Sequence, residues 1–367
     1  MKKTLRKTLV ALVLLALMSS NAFAAVPGDV QGQPYEDAVT VLMDKGIITG
    51  DTDGSYHPNA ELTRAQACTI IVKAMNPPAA DLVVVDSENA SFKDLKGYGW
   101  AQGYIAYAVK KGVTKGYPDG TFKPGKNVTT NELVTMLLRA ADYSDATLGG
   151  SWPNNYMDKA KELGILDSMP DSLPANATKW MAAEITYSLL DEIEAAHAIP
   201  AEVKGVMDKV TNLAVKYAKQ LDGEFGDQHV LLMQSQKGWD YEGYDKLKSK
   251  LDGFRTESGA YYVYCLVDLD PYDGHFEITV DGSAEPDDWL NQYEVEGQFL
   301  LAMNGTAAPA PTAWDNDVDD LVWSAFAPIH NSEGNVVAIL GIDFPAPEIL
   351  KYPEWNRDYQ ADGEATE

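Results

Sequence analysis

Cysteine is scarce in this sequence, whose 367 residues include only Cys68 and Cys265. Small exported domains are commonly held together by several disulfide bonds, and two thiols exclude such a framework. The two cysteines also fall in different predicted domains, so we expect buried, unpaired thiols. The chain must therefore be stabilised by hydrophobic cores, and its length suffices for two or three domains that each have one.

Basic residues are few as well. Lys and Arg number 29 against 55 Asp and Glu, which gives a formal net charge of −26. A surface this acidic repels the phosphates of nucleic acids and the headgroups of anionic membranes. We therefore expect neither partner, and we interpret most of the carboxylates as solubilising groups.

Long apolar runs are absent beyond the N-terminus. Leu9–Met18 is apolar, follows several basic residues, and precedes Ala22-Phe23-Ala24, which fits a small-x-small cleavage site. This pattern predicts a secretory signal peptide over residues 1–24. The run is too short to span a membrane, which takes about 20 residues. We expect an exported protein with no membrane span.

Motifs for catalysis and cofactors are absent too. The five histidines show no metal-ligand spacing, and the sequence contains neither a Gly-x-Ser-x-Gly elbow nor a phosphate loop. Asp315–Asp320 alternates oxygen ligands as a calcium loop does, but Asp320 replaces the required Gly and Phe326 the required Glu. We expect no catalytic residue, no metal and no cofactor, and we leave calcium at this acidic loop open.

The sequence does contain an internal repeat. Ile47–Thr63 reads IITGDTDGSYHPNAELT, and Val113–Thr129 reads VTKGYPDGTFKPGKNVT. The equivalent pairs share one offset of 66 residues: Gly50 and Gly116, Asp53 and Asp119, Gly54 and Gly120, Tyr56 and Phe122, Pro58 and Pro124. Asp-Gly favours a tight turn, the aromatic residue after it can fold back onto the loop, and the final Thr is a favoured helix N-cap. Each copy therefore predicts a loop between two helices.

These residues resemble the S-layer homology domain. The pattern of that family is a Gly-x-x-Asp-Gly-x-Phe-x-Pro loop, followed by Thr-Arg-Ala-Glu at the start of a second helix. The loop is matched by Gly116, Asp119, Gly120, Phe122 and Pro124, and the helix start by Thr63-Arg64-Ala65-Gln66. The resemblance implies an all-α spindle of three such repeats that binds a secondary cell-wall polysaccharide.

The three repeats are expected within residues 25–195. Their predicted positions are about 26–76, 91–142 and 150–192. The third copy is degenerate. Trp152 stands twelve residues before Gly164, as Trp100 does before Gly112, but the Gly-x-x-Asp-Gly turn is missing. Since a single helical hairpin cannot bury its apolar face, three packed copies are the physical expectation.

The resemblance also implies a polysaccharide site. In the family, the Arg after the capping Thr faces an anionic sugar. Arg64 holds this place in the first repeat and Lys179 in the third, whereas Thr130 removes the charge in the second. A guanidinium fork suits a carboxylate better than an ammonium does. The alternative for Arg64 is a solvated residue of the first helical turn. Further candidates are Gly116, Asp119, Trp100 and Trp152; for the two tryptophans, a place in the core is an equal alternative.

The pattern changes after residue 196. Val203, Val206, Val210 and their successors to Leu221 recur every three or four residues, which predicts one long amphipathic helix after Pro200. A second helix is expected over about Tyr241–Phe254. Strands are then predicted at about Ala260–Asp268, His275–Val280, Leu321–Ile329 and Asn335–Asp343, with a short helix at about Val295–Met303. The fold class is multidomain, with the all-α repeats followed by an α+β domain that has a long N-terminal helix and a mostly antiparallel sheet.

The last two strands resemble the closing hairpin of a Cache domain, the PAS-like extracellular sensor of bacterial receptors. The matching segments are Trp323–Ile329 and Val336–Asp343, the second of which ends Gly-Ile-Asp. The resemblance implies a ligand-binding domain over 196–355, and an acidic tail, 356–367, would follow it. We expect neither a membrane span nor a signalling domain, and in this the sequence departs from the receptors.

The hairpin can be divided into two faces. With a turn at Asn331–Gly334, Ser324 pairs with Gly341, and Trp323 lies on the all-apolar face. Ser324 and Asp343 share the other face, which has room for a ligand. A solvent-exposed strand end is the alternative for Asp343. Trp289, Tyr293 and Trp314 lie in the insertion that covers the pocket in Cache domains, and packing is the alternative for each.

Three functions follow from these features. The first is a non-catalytic protein of the cell wall or S-layer surface that holds polysaccharide and binds an unknown small molecule. The second is a purely structural envelope component without a ligand. The third is a wall-bound hydrolase that uses carboxylates such as Asp287 and Asp315, which nothing in the sequence brings together.

Overall fold

The computed structural model describes residues 26–83, 92–235, 241–283, 289–316 and 320–358. These residues divide into two compact units. The N-terminal unit comprises the described residues up to Pro77 and those of 92–198, and the C-terminal unit comprises 78–83 and the described residues from Ile199 onward. The predicted signal peptide, Asp287, and residues 359–367 of the acidic tail lie outside the described residues.

The N-terminal unit is helical in the described residues. Its helices are α1 Glu36–Asp44, α2 Arg64–Met75, α3 Gly99–Lys110, α4 Thr130–Ala140, α5 Asp145–Leu148, α6 Asn154–Glu162, α7 Lys179–Ser188 and α8 Leu190–Ala196. Thr63 and Thr129 cap α2 and α4, as predicted, and each forms a capping box with the residue three positions on, Gln66 or Glu132.

The loops of the first two repeats are closed by an aromatic plug. Tyr56 and Phe122 are buried, as their predicted role requires. The backbone N–H groups at each plug donate to a carboxylate that begins the repeat. Asp29 accepts from Tyr56 at 3.0 Å, and Asp94 accepts from Phe122 at 2.9 Å. These bonds lower the pKa of Asp29, and they fix each loop against the start of its own repeat.

A closed ring of backbone hydrogen bonds joins the segments that precede α2, α4 and α7. The N–H of Leu62 donates to the carbonyl of Ala177 at 3.0 Å, Ala177 donates to Val128 at 3.0 Å, and Val128 donates to Leu62 at 2.8 Å. All three residues are buried. Each stands immediately before the threonine at the N-cap of the next helix, which is Thr63, Thr129 or Thr178. The ring therefore joins the same position in front of three helices.

The C-terminal unit is α+β. Its helices are α9 Ala201–Leu221, α10 Glu224–Leu232, α11 Tyr244–Ser258 and α12 Gly297–Met303. Its strands are β1 Tyr262–Val267, β2 His275–Asp281, β3 Gln292–Glu294, β4 Ala308–Pro309, β5 Trp314–Asn316, β6 Asp320–His330 and β7 Val336–Pro345. The strands form one antiparallel sheet in the order β3-β2-β1-β7-β6-β4, and β5 pairs with β6. The long helix and the main strands were predicted, whereas α10 and the three short strands were not.

The two faces of the sheet carry separate cores. Trp323 is fully buried in the cluster that packs α9 against one face. Phe326 belongs to the second cluster, which packs α12 against the other face. The predicted division of the β6–β7 hairpin into two faces is therefore confirmed.

The predicted pairing of that hairpin is wrong by two residues. Ser324 lies opposite Asp343 rather than Gly341. The register shifts between Ile329 and His330, and His330 pairs with Val336. The loop between the two strands is therefore Asn331–Asn335, one residue longer than the predicted turn. The shift between Ile329 and His330 displaces the pairing by one more residue. A shift by two leaves every side chain on its predicted face.

Both cysteines are buried and unpaired, as predicted. Burial raises the pKa of the Cys68 thiol to about 12 and raises that of Cys265 as well. Among the described helices, none combines the length and apolar character needed to cross a membrane.

Candidate functional site

Cations gather around Tyr117 in the loop of the second repeat. The guanidinium carbon of Arg64 lies 4.6 Å from the centre of the Tyr117 ring, and Lys123 Nζ lies 4.2 Å from it. Lys126 Nζ donates to the Tyr117 hydroxyl at 3.1 Å, and this hydroxyl donates to Glu132 Oε1 at 2.6 Å. We call these residues (Arg64, Tyr117, Lys123, Lys126 and Glu132) the Tyr117 cluster.

Arg64 itself is not open to solvent. Its side chain is 5% exposed, its Nε donates to the carbonyl of Phe122 at 2.8 Å, and its Nη1 lies 3.1 Å from Glu132 Oε1. The alternative of a solvated side chain is therefore wrong, and the role of Arg64 in binding polysaccharide stays a prediction. Burial acts to raise the pKa of Glu132, but the Tyr117 hydroxyl, a backbone N–H and Arg64 outweigh it, so the pKa falls below its usual value.

The residues that correspond to Arg64 in the sequence, Thr130 and Lys179, also form hydrogen bonds within the protein. Lys179 Nζ lies 2.8 Å from Asp51 Oδ2 and donates to the carbonyl of Tyr56 at 3.0 Å. Thr130 donates through its hydroxyl to the carbonyl of Pro174 at 2.6 Å. Arg64 and Lys179 are each paired with a carboxylate, Glu132 and Asp51. Arg64 is in addition accompanied by two lysines of the neighbouring loop, Lys123 and Lys126.

Two of the other residues predicted to bind polysaccharide, Asp119 and Gly116, lie in the loop of the second repeat. Asp119, whose side chain is 54% exposed, accepts from Thr121 within its own turn and lies 3.4 Å from Lys123. Gly116 has a φ of +69°, and a Cβ there would overlap the Phe92 ring, so its role is conformational.

Both candidate tryptophans are on the surface. Trp100 is 39% exposed and lies beside Tyr98, with ring centres 6.5 Å apart. Trp152 is 55% exposed, and its indole N–H donates to the Thr135 hydroxyl at 2.9 Å. The alternative of a place in the core is wrong for both. The structure groups Arg64, Asp119 and Gly116 at the second loop, but it leaves Trp152 and Lys179 elsewhere.

A cavity of about 400 Å³ opens on the α12 side of the sheet in the C-terminal unit. It is lined by Tyr262, Tyr264, Ile278, Asp281, Tyr293, Glu296, Gln298, Phe299, Ala310, Trp314, Ser324, Phe326, Asp343 and Arg357. Aromatic rings form much of the wall, and three carboxylates face the same space. This volume and lining are typical of a small-molecule site.

Asp343 is the most buried of the predicted ligand-binding residues, with 5% of its surface exposed. The Tyr264 hydroxyl donates to its Oδ1 at 3.2 Å, and Ser324 lies opposite it on β6. The Trp314 indole N–H donates to the Ser324 hydroxyl at 2.8 Å. Burial raises the pKa of Asp343 to about 7, and the alternative of a solvent-exposed strand end is wrong.

Gly341 makes room for this arrangement. A Cβ at Gly341 would lie 2.5 Å from the Tyr264 ring and 2.9 Å from the Phe326 ring. The Gly-x-Asp ending of β7 therefore has a physical meaning, because the glycine lets Tyr264 lie flat across the strand while its hydroxyl reaches Asp343.

One cation also lines the cavity. Arg357 Nη1 lies 3.2 Å from Glu296 Oε1, and its guanidinium carbon lies 5.7 Å from the centre of the Trp314 ring. Backbone hydrogen bonds of 2.8 and 2.9 Å connect Ala313 with Trp355 and Arg357, so the end of the described chain is fixed beside β5.

The structure brings together four of the five predicted ligand-binding residues: Ser324, Asp343, Tyr293 and Trp314. The assignment of Trp289 to the pocket is wrong, because its half-buried ring packs against the cluster on the opposite face of the sheet. Sequence reasoning missed Tyr262 and Tyr264, although their alternation along β1 was a usable signal. It also missed Asp281, Glu296 and Arg357, which come from separate parts of the chain.

A metal or hydrolytic centre has no support in the described residues. They contain no group of three His, Cys, Asp or Glu side chains placed to hold a metal ion. Asp315 is exposed on β5, while its proposed partner Asp287 and residues 317–319 of the acidic loop lie outside the described residues. The described residues therefore give no support to a hydrolase or to a calcium-binding loop.

The N-terminal unit is similar in sequence to known proteins. Residues 28–68 and 91–129 match the S-layer homology domain model. The middle cell wall protein of Brevibacillus brevis is 30% identical over 55% of this chain and 20% of that protein. The surface layer protein of Brevibacillus choshinensis is 31% identical over 53% of this chain and 18% of that protein. The chain thus spans about one fifth of the length of these curated relatives.

Two further similarities are weaker in coverage or in geometry. Amylopullulanase of Thermoanaerobacterium thermosulfurigenes is 28% identical over 45% of this chain but only 9% of that enzyme. Among solved structures, the sensory domain of the Campylobacter jejuni chemoreceptor Tlp3 has a TM-score of 0.28 and 11% identity, over 41% of this chain and 65% of that chain. A TM-score of this size supports no inference about a ligand.

Proposed function

We propose that this chain binds wall polysaccharide through its N-terminal unit and a small ammonium-bearing molecule in its C-terminal cavity. The match to the S-layer homology domain and the similarity to surface-layer proteins support a location at the bacterial cell-wall surface. The proposed activity is binding without catalysis. The observation that carries the second part is the cavity itself, in which Asp281, Glu296 and Asp343 face aromatic walls.

We infer that the N-terminal unit is a spindle of three repeats, of which the third has lost its turn motif. The ring of backbone bonds through Leu62, Val128 and Ala177 supports this inference. The wall polymer would be bound at the Tyr117 cluster, where Lys123 and Lys126 flank a buried Arg64–Glu132 pair. Cations on an otherwise acidic protein suit an anionic sugar, and an aromatic ring suits the apolar face of a sugar.

A pull-down with purified cell-wall sacculi tests the first part. Lys123→Ala with Lys126→Ala should weaken retention and reduce its sensitivity to salt, because two cations leave the cluster. Lys161→Ala is the matched control, since Lys161 is an exposed lysine on α6 with 69% of its side chain accessible. Retention of the double variant at the wild-type level would contradict the assignment of this cluster.

The cavity selects its ligand by charge and shape. Three carboxylates against one arginine leave an excess of negative charge, and the aromatic rings favour an apolar body and stabilise a cation. A charged hydrogen bond to Asp343 would then orient the ammonium group. A primary amine on a ring or branched chain satisfies these requirements within about 400 Å³.

Thermal-shift and calorimetric titration with 2-phenylethylamine test the second part, and 3-phenylpropionate serves as a ligand of the same shape with the opposite charge. We expect the amine to bind and the carboxylate to be rejected. Equal binding, or none by either compound, would contradict the proposal. In the second case a structural role in the surface layer is favoured, as the names of the relatives suggest.

A further inference from the structure

Residues 78–83, which lie between the first and second repeats in sequence, are part of the C-terminal unit. Ala79–Leu82 forms a turn of 3₁₀ helix after Pro78. Ala80 is 7% exposed and belongs to the same apolar cluster as Phe299 and Phe326, both of which line the cavity. The segment is therefore packed in the core of the C-terminal unit, although the sequence places it within the predicted repeat domain, between its first two repeats.

The backbone of this segment lies directly against the backbone of α12 at Gly297. A Cβ on Gly297 would overlap the carbonyl oxygen of Ala80 and would lie 3.1 Å from the Cβ of Val83. The φ of Gly297 is one that other residues adopt, so the glycine is required by the approach of the segment rather than by its own conformation. This contact depends on residue 297 having no side chain.

The same turn of α12 forms a wall of the cavity. Glu296, Gln298 and Phe299 all line it, and they flank Gly297 in sequence. The Gln298 side-chain amide donates to Glu296, which also pairs with Arg357 at 3.2 Å. One helical turn thus contacts the segment 78–83 through Gly297 and contacts the cavity through its neighbours.

We propose that residues 78–83 are a positioning element of the cavity. By fixing the first turn of α12, they couple docking of this segment to occupancy of the cavity; the ligand part of this inference rests on the proposed function. Only Asn76 and Pro77 separate the segment from the end of α2, so the chain that carries Arg64 leads directly into it. Coupling is reciprocal: an occupied cavity holds the segment, and a loosened segment lowers affinity.

The test uses the full chain with Gly297→Ala and the control Gly205→Ala, which lies on α9 with no atom within 4 Å of its added Cβ. Hydrogen exchange of the Asp81 and Val83 amides, which donate to Pro78 and Ala80, reports docking without any ligand. In Gly297→Ala we expect faster exchange at these amides and in α12, and no such change in the control. Unchanged exchange, or acceleration spread evenly over the whole C-terminal unit, would overturn the proposal.

The coupling is measured with 2-phenylethylamine. In the wild type, the bound amine should slow exchange at residues 78–83, and Gly297→Ala should weaken its binding about five- to 100-fold, a range typical of coupled sites. If the amine binds but leaves the exchange of this segment unchanged, the coupling is refuted while the proposed function stands. If the amine does not bind the wild type, the proposed function fails, and the ligand-free exchange alone decides the positioning role.

Discussion

Asp343 offers the sharpest quantitative test of the cavity. Burial raises its pKa from 3.8 to about 7. Between these values the folded state binds more protons than the unfolded state, so the free energy of unfolding falls as the pH rises through this range. The shift corresponds to at most about 4 kcal/mol, fully incurred above pH 7. Asp343→Asn removes this titration, so the variant should be more stable than the wild type at pH 8 and similar to it at pH 4.

The wild-type profile alone does not isolate this effect, because His229 titrates in the opposite sense. Burial lowers the pKa of His229 to about 4 from 6.5, so the unfolded state binds more protons in that range and stability rises with pH. The two contributions partly cancel. The difference between the variant and the wild type removes the His229 contribution, and this difference should grow from pH 4 to about pH 7 and then level off.

Urea unfolding of both proteins at pH 4.5, 6 and 8 measures this difference, with Asp315→Asn as a control on an exposed carboxylate of β5. Binding should change in the opposite direction. Loss of a charged hydrogen bond worth about 1.5–3 kcal/mol lowers the affinity for 2-phenylethylamine by about one to two orders of magnitude. A variant that is less stable than the wild type at pH 8, or a difference that does not grow with pH, would refute the reasoning.

Two further predictions concern packing and charge. Gly341→Ala should lower the free energy of unfolding by about 1–3 kcal/mol and weaken amine binding, because its Cβ displaces the Tyr264 ring. Thermal melts measure this loss, and Gly253→Ala is the control, since Gly253 is a helical glycine with open space around it. Glu132→Gln should cost about 3–5 kcal/mol in urea unfolding, because it leaves the buried charge of Arg64 without its ion pair, and a loss below 1 kcal/mol would contradict the burial of that pair.

Local patterns predicted the elements well. The start of the helix Arg64–Met75 was predicted, since Thr63 is a favoured N-cap and forms a capping box there. The period of two along β6 and β7 predicted which side chains face the cavity. It could not predict their pairing, because the shift beside His330 depends on how the loop closes.

Contacts between distant parts of the chain could not be predicted from the sequence. The partner of Arg64 is Glu132, 68 residues away in the next repeat, and only the assembled unit makes that pair. Arg357 reaches the cavity because the end of the chain is bonded to Ala313. Trp289 and Tyr293 are four residues apart, yet they lie on opposite sides of the sheet, a division that composition does not encode.

The ring of hydrogen bonds through Leu62, Val128 and Ala177 has a consequence for which segments this unit must keep. Each member donates once and accepts once, so the arrangement closes with three members and with no fewer. Loss of the Ala177 backbone would remove the acceptor of the Leu62 N–H and the donor to the Val128 carbonyl. Each of these hydrogen bonds contributes about 0.5–1.5 kcal/mol. The loop before Ala177 is therefore free to diverge in sequence, while the backbone of Ala177 itself bonds to both of the matched repeats.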